Sequence, residues 1–290
     1  MESSFKNILV VGLGLIGGSI LKTIKDLNVS LVVYGLDLDE KVTIKANNIG
    51  LINNADNQLK KIEEDCLIVF CVPSLSIEKA FELIEGSFHD EKVIFTDTFS
   101  SKSKLLEFLE SNTKVGERFI MSHPIAGSEK SGLANYNSLL FKDKLVVLSS
   151  LNEDENNQKL NRVKNFWELL GSKVTILDPV EHDRVFSRTS HLPHVIAFAL
   201  MHYLEKELGD NVFKYSGGSL ESYTRIASSD PLMWKDVVIS NKEAVLEAIK
   251  GFKSSLNEVS TLIDSEDEES ILDYLRFVKT VRDKRIEEDS

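Results

Sequence analysis

Apolar residues in the first 178 positions fall into short runs separated by amphipathic stretches. Lys6–Val11 has no polar alternation and reads as a strand buried on both faces. Ile16–Leu27 follows as a helix and Leu31–Leu36 as a second strand. Leu67–Val72, Val93–Thr96 and Phe119–Ser122 are further short strands, interleaved with helical stretches at Ile77–Ile84 and Lys102–Leu109. Leu145–Ser149 and Lys173–Ile176 flank another helix, Gln158–Leu170. Strands alternating with helices of this length predict βαβ units and a mainly parallel sheet.

From Asp178 onward the strand pattern stops. Long helical segments are predicted at about 181–208, 232–262 and 268–287. Within the first, VIAFALMHYL (195–204) is apolar nearly all the way round. Such a helix is expected to be buried on every side, as a core helix or at a subunit interface. Ser265-x-x-Glu268 reads as a capping box for the last helix. Arg276, Lys279, Arg282, Lys284 and Arg285 lie toward its C-terminal end, where the dipole favours cations. No internal repeat or low-complexity linker interrupts the chain. The expected fold is α/β: a Rossmann-type doubly wound sheet over residues 1–178 and an all-helical domain over 179–290.

Composition narrows the function classes. The chain has 290 residues, 42% hydrophobic and 28% charged, with 46 acidic against 34 basic residues and a formal net charge of −12. With no segregated basic patch, nucleic acid and anionic membranes are not expected partners. An anionic ligand must be held by local groups working against the overall field. No apolar run reaches the ~18 residues of a membrane span. The N-terminus runs directly into a strand with no signal-peptide pattern. Cys66 and Cys71 sit in the run CLIVFC and point to opposite faces of a strand, so they are read as reduced packing residues of a cytoplasmic protein.

The stretch NILVVGLGLIGGSI places G-x-G-x-x-G at Gly12, Gly14 and Gly17, after a strand and opening a helix. That context is the dinucleotide fingerprint. The first glycine permits the tight turn, the second lets backbone approach a pyrophosphate, and the third lets helix and strand pack closely. The anion would rest on the free N–H groups of the helix N-terminus, with Leu15 and Ile16 beside it. Asp37, 20 residues past Gly17, is positioned to bind a ribose 2′-hydroxyl and repel a 2′-phosphate, which favours NAD over NADP. Val72 and Pro73, at the end of the third strand, complete the expected cofactor contacts.

MSHPIAGSEKSG (121–132) supplies the candidate chemistry. Removing hydride from a carbinol carbon builds positive character there, and a neutral imidazole that accepts the hydroxyl proton lowers the barrier near neutral pH. His123 follows the run FIMS on the edge where open α/β sheets bind ligands, and the adjoining proline turn is expected to fix its ring.

HPIAGSEKSG (123–132), SHLPH (190–194) and YTRIASSDPLMW (223–234) resemble the signature segments of prephenate dehydrogenases, a family that includes arogenate dehydrogenases. With the glycine motif, the resemblance covers nearly the whole chain. It implies NAD(P)-dependent oxidative decarboxylation of a cyclohexadienyl substrate in tyrosine biosynthesis, and a homodimer formed through the helical domain. It also implies roles: His123 as acceptor for the ring hydroxyl, Ser100 as a contact of that hydroxyl and the cofactor, His194 as a substrate contact, and Arg225 as the carboxylate anchor. Gly127, Ser128 and Glu129 match positions near the pocket mouth, and Ser190 belongs to the substrate segment. The chain departs from the family in DTFSSK, where Phe99 replaces the usual glycine and Ser101 an apolar residue.

Other readings attach to the same residues. His191 and His194, three apart, could share a metal ion, but no third ligand is evident and no metal is expected. Met233 and Trp234 read as core or interface, and DSEDEES (264–270) as a solvated loop and helix start. A β-hydroxyacid dehydrogenase would carry a catalytic lysine with asparagine four residues on, whereas Lys235 is followed at that offset by Ile239. A non-catalytic NAD(H) sensor would have no need of His123, His194 and Arg225 together.

Overall fold

Among the described residues, seven strands form one sheet: β1 (Asn7–Val11), β2 (Val32–Leu36), β3 (Cys66–Phe70), β4 (Val93–Asp97), β5 (Phe119–Pro124), β6 (Leu145–Ser150) and β7 (Lys173–Ile176). They lie in the order β2-β1-β3-β4-β5-β6-β7. All neighbours run parallel except β5 and β6, where His123 stands opposite Val147 and Pro124 opposite Val146. The computed structural model describes residues 4–57, 59, 62, 65–88, 92–127, 130–151 and 157–288. It divides into two units, Met1–Lys242 and Glu243–Ser290.

The doubly wound form follows from the strands' composition. Ile8, Val10, Leu67, Val69, Ile94 and Ile120 pack into one core, while Leu9, Val11, Ile68, Phe70, Phe95 and Met121 pack into another on the opposite face. Helices cover both: α1 (Leu15–Leu27), α2 (Glu40–Asn48), α3 (Ile77–Ile84), α4 (Ser103–Ser111), the single turn α5 (Thr113–Gly116) and α6 (Gln158–Leu169). Cys66 and Cys71 are free and face opposite cores, and burial raises both thiols to about 12, which makes them inert packing groups. The helix α2 has no counterpart in the apolar pattern. It is set instead by Asp39, whose carboxylate accepts the Lys41 N–H at its start.

The helical part begins with α7 (Pro179–Phe186), passes through a π-turn at Ser187–His191 and continues as α8 (Leu192–Leu208). Pro193 has no N–H to continue the ladder, and the wider turn precedes it. Then come α9 (Gly218–Thr224), α10 (Pro231–Ser240), α11 (Lys242–Asp264) and α12 (Glu268–Glu288). The stretch predicted as one helix over 232–262 is therefore broken at Asn241, whose side chain donates to the Asp183 carbonyl (3.0 Å).

Two expectations need correction. The stretch 195–204 is not buried on every side within the chain: of α8 only Ala197 is buried, and Tyr203 is 58% exposed. The cap of α12 is Asp267, not Ser265. Asp267 accepts the N–H groups of Glu269 and Ser270 and the Ser270 hydroxyl, while the Ser265 hydroxyl turns back to the Leu262 carbonyl. In the Glu243–Ser290 unit, Leu256, Ile263, Leu272, Leu275 and Phe277 are exposed. Among the described residues no helix is long and apolar enough to cross a membrane.

Candidate active site

The strand order reverses between β1 and β3, and ligands of open α/β sheets bind outside the carboxyl ends of the strands at such a switch point. The turn leaving β1 shows why glycines stand there. Gly12 has φ +96°, and a Cβ on it would lie 2.7 Å from the Cys71 carbonyl carbon, on the chain leaving β3. A Cβ on Gly17 would lie 2.0 Å from the Gly12 carbonyl oxygen. A Cβ on Gly14 would meet nothing within 4 Å, so the space over that residue is open. The helix α1 starts there with no side-chain cap and no acidic residue in its first turn, which leaves its N–H groups for an anion.

Leu15 and Ile16 begin this helix. At the end of β2, Asp37 accepts the Leu13 N–H (2.8 Å) and the Asp39 N–H (3.0 Å), which fixes its carboxylate beside the glycine turn. Val72 is buried and Pro73 exposed on the loop after β3. That loop is clamped by Asp236 of α10, which accepts the Ser74 N–H and hydroxyl and the Leu75 N–H at 2.8–2.9 Å. The residues present fit a dinucleotide.

Three strands along the sheet from β1, His123 lies inside β5 rather than beyond it and is 8% exposed. What holds its ring is not the proline turn but a second histidine: His123 Nδ1 lies 2.9 Å from His182 Nε2, and Phe186 packs edge-on at 4.7 Å between centroids. His182 Nδ1 in turn lies 2.9 Å from Asp183 Oδ1. Burial, aided by the nearby His182, Lys102 and His191, pulls the His123 imidazole well below the ordinary histidine pKa. It is therefore neutral at physiological pH and able to accept a proton.

Asp183 also organises the loop after β4. Its oxygens accept the backbone N–H groups of Lys102 (2.7 Å) and Ser103 (2.8 Å) and the Ser103 hydroxyl (2.5 Å), capping α4 from a distant helix. Burial acts to raise this carboxyl, yet the hydrogen bonds from His182 and Ser103 outweigh it and hold it below the usual carboxylate range. In the same loop Lys102 and Asp97 form an ion pair with both side chains fully buried. Lys102 Nζ donates to Asp97 Oδ2 (2.5 Å), the Phe99 carbonyl (2.9 Å) and the Ser122 carbonyl (2.6 Å), which occupies all three ammonium protons. Burial pulls the ammonium's pKa down and pushes the carboxyl's up, and the pairing opposes both.

The departures in DTFSSK are accommodated. Phe99 is buried and is not among the positive-φ residues, so its site does not demand glycine. The Ser101 hydroxyl donates to Ser240 of α10 (2.6 Å), making it a packing residue of that contact. Ser100 is half-buried, and its hydroxyl makes no hydrogen bond to another described residue. In the opening loop, Gly132 has φ +82° and needs glycine for its turn, whereas Gly127 is exposed with no such requirement. Ser128 and Glu129 lie outside the described residues.

On the helical side, His194 stacks on Trp234 with ring centroids 3.7 Å apart, and its Nδ1 meets the carbonyl of half-buried Ser190 at 3.0 Å. Burial lowers its pKa, and the positive charge of Arg225 adds to that effect. Arg225 is exposed, makes no hydrogen bond or ion pair among the described residues, and lines a cavity of about 400 Å³ with Phe198, Met201, Phe213 and Glu221. His123 and Arg225 do not touch. His191 is 1% exposed, with its Nδ1 3.2 Å from the Asn241 amide, and burial pulls its pKa down to about 4, with His182 and His194 nearby adding to the effect. Among the described residues no group of three His, Cys, Asp or Glu side chains is placed to hold a metal ion.

Sequence reasoning therefore missed His182, Asp183, Lys102, Asn241 and Asp236. The pair His182–Asp183 at the start of a predicted helix was the available signal, since an acidic residue beside a histidine is the usual support of an imidazole base.

A phosphate-ready glycine turn and a neutral, acid-supported imidazole at one sheet edge belong to a dinucleotide-dependent dehydrogenase. A model described as the prephenate dehydrogenase nucleotide-binding domain matches residues 20–176, and one described as the prephenate dehydrogenase dimerization domain matches 178–277. The chain belongs to the prephenate dehydrogenase family. It is 35% identical to the prephenate dehydrogenase of Lactococcus lactis subsp. cremoris, over 96% of this chain and 77% of that one. It is 30% identical to the cyclohexadienyl dehydrogenase of Zymomonas mobilis, over 96% of this chain and 95% of that one. Among solved structures, the prephenate dehydrogenase of Aquifex aeolicus, in complex with hydroxyphenyl propionate and NAD+, superposes with a TM-score of 0.85 at 34% identity. That match covers 97% of this chain and 98% of the other.

Proposed function

We propose that this chain is a prephenate dehydrogenase, oxidising and decarboxylating prephenate to 4-hydroxyphenylpyruvate with NAD+ in tyrosine biosynthesis. The observation that carries the reading is the neutral, buried His123 at the same sheet edge as the glycine turn. The glycine turn and the uncapped start of α1 would hold NAD+, which would supply the hydride acceptor. His123 accepts the ring-hydroxyl proton as hydride leaves the carbon that bears it. The ring carboxylate departs as CO₂, its bonding pair completes the aromatic ring, and the proton returns to the phenolic oxygen. Asp37 favours NAD over NADP through the ribose hydroxyl, and Ser100 orients the substrate hydroxyl.

Arg225 anchors a substrate carboxylate, a role that suits a guanidinium with no hydrogen-bond or ion-pair partner among the described residues. His194, Ser190, Gly127 and Ser128 complete the substrate side. Residues 1–178 serve the dinucleotide and 179–290 the substrate and the dimer. The apolar residues left exposed on α8, α11 and α12 support a homodimer through the helical part, and the reduced cysteines support a cytoplasmic setting.

The test is NADH formation by the purified enzyme with prephenate or arogenate, each offered with NAD+ and NADP+. Turnover of prephenate with NAD+ supports the reading. Turnover of arogenate alone would move the assignment to the amino substrate, and no turnover of either would end it. Arg225→Ala is expected to raise KM about 10- to 100-fold with little change in kcat. An unchanged KM would assign the anchor to another group.

A further inference from the structure

We propose that His182 and Asp183 are positioning residues that decide which ring nitrogen of His123 is left free to accept a proton. The assignment rests on the dehydrogenase reading for its purpose, but its geometry stands apart from the identity of the substrate.

Asp183 sets the direction of the hydrogen bonds. Its four acceptor contacts are the Lys102 N–H, the His182 ring, the Ser103 N–H and the Ser103 hydroxyl, so the carboxylate is ionised and acts only as an acceptor. His182 Nδ1, 2.9 Å away, must therefore carry a proton. His182 is buried and neutral, because burial outweighs the support of Asp183 and lowers its pKa. A neutral imidazole protonated on Nδ1 has its lone pair on Nε2, and that atom faces His123 Nδ1 at 2.9 Å. His123 Nδ1 must then be the donor. What remains on His123 is an unprotonated Nε2, the atom that can accept the substrate proton.

The polarity runs one way only. Were the tautomers reversed, His182 would donate to His123 Nδ1 and the proton of His123 would sit on Nε2, where it would block the acceptor. One carboxylate thus determines the state of an imidazole two residues removed through hydrogen bonds. The backbone contacts of Asp183 to α4 keep that carboxylate from rotating away. When His123 takes up the proton, its Nδ1–H becomes a charged donor to His182, so the same chain stabilises the imidazolium.

Tautomers are read directly by nitrogen NMR of the full-length enzyme labelled at histidine, with no substrate or cofactor added. Resonances are assigned by comparison with His123→Asn and His182→Gln. The expected result is protonation of His123 and His182 on Nδ1 at neutral pH. In Asp183→Ala, which removes the acceptor from His182 Nδ1, the Nδ1 protonation of both rings is lost and kcat falls about 100-fold or more. Because Asp183 also caps α4, a second pair guards against loss of fold. His182→Gln, whose amide oxygen accepts from His123 Nδ1, keeps most of kcat. His182→Leu loses it, with KM and NAD+ affinity unchanged in both. A wild-type His123 protonated on Nε2, or equal kcat in the Gln and Leu variants, overturns the proposal. An enzyme with the expected tautomers that fails to oxidise either substrate would refute the substrate assignment and leave the relay intact.

Discussion

The glycine turn and the histidine cluster occupy the same edge of one sheet and are built by opposite means. The turn is made of backbone. Gly12 and Gly17 leave room where a Cβ would strike backbone, the partner surface is the chain leaving β3, and what the turn offers a ligand is the uncapped N–H groups that open α1. The cluster is made of side chains brought from far apart. His123 meets His182 across 59 positions, Lys102 meets Asp183 across 81, and Ser74 meets Asp236 across 162. A backbone site needs space and a fixed turn, whereas a side-chain site needs every partner present and in the right protonation state.

The contrast predicts different failures. The largest effect is expected at Gly17→Ala, where the new Cβ would sit 2.0 Å from a carbonyl oxygen. Helix and strand must separate, and the variant should be unfolded or lose cofactor binding together with well over 10 °C in Tm. Gly14→Ala, with nothing within 4 Å, should keep its Tm and lose only NAD+ affinity. Equal Tm losses in the two variants would show that the turn is not built as described.

Next comes the cluster's foundation. Lys102→Met leaves the Asp97 carboxylate buried without its cation and should cost about 3–5 kcal/mol in denaturant unfolding. Lys102→Met combined with Asp97→Leu should recover much of that loss. A double variant no better than the single one would contradict the pairing.

The smallest effect is a pH dependence. Burial lowers His191 from 6.5 to about 4, so the unfolded chain binds the proton more readily. Its contribution to stability is full above about 6.5 and is lost as pH falls to about 4, up to roughly 3 kcal/mol. His191→Gln should flatten the fall of Tm over that range. An unchanged slope would mean that the ring is not held neutral.

The same contrast explains what could be read in the sequence. Strands such as Val93–Asp97, the helix Ile77–Ile84 and the glycine turn are local patterns, and their boundaries fall within a residue or two of those predicted. The fold class, and the place of His123 toward the carboxyl end of a strand, were legible for that reason. Helix α2, EKVTIKANN, carries too little apolar periodicity to announce itself, and it forms because Asp39 caps it. The break at Asn241 depends on contacts with Asp183 and His191, 58 and 50 positions away, which no local pattern encodes. The apolar stretch 195–204 left a core helix and a subunit interface both open, because periodicity reports that a face must be covered, not whether the cover comes from the same chain; its exposure within this chain excludes the first.

The central claim is that His123 accepts the substrate's hydroxyl proton, and it is tested most directly by the turnover of His123→Asn measured beside its NAD+ affinity. The account predicts a fall in kcat of about 1,000-fold, within the range that a positioned base contributes, with the NAD+ dissociation constant unchanged. Wild-type turnover in that variant would contradict it.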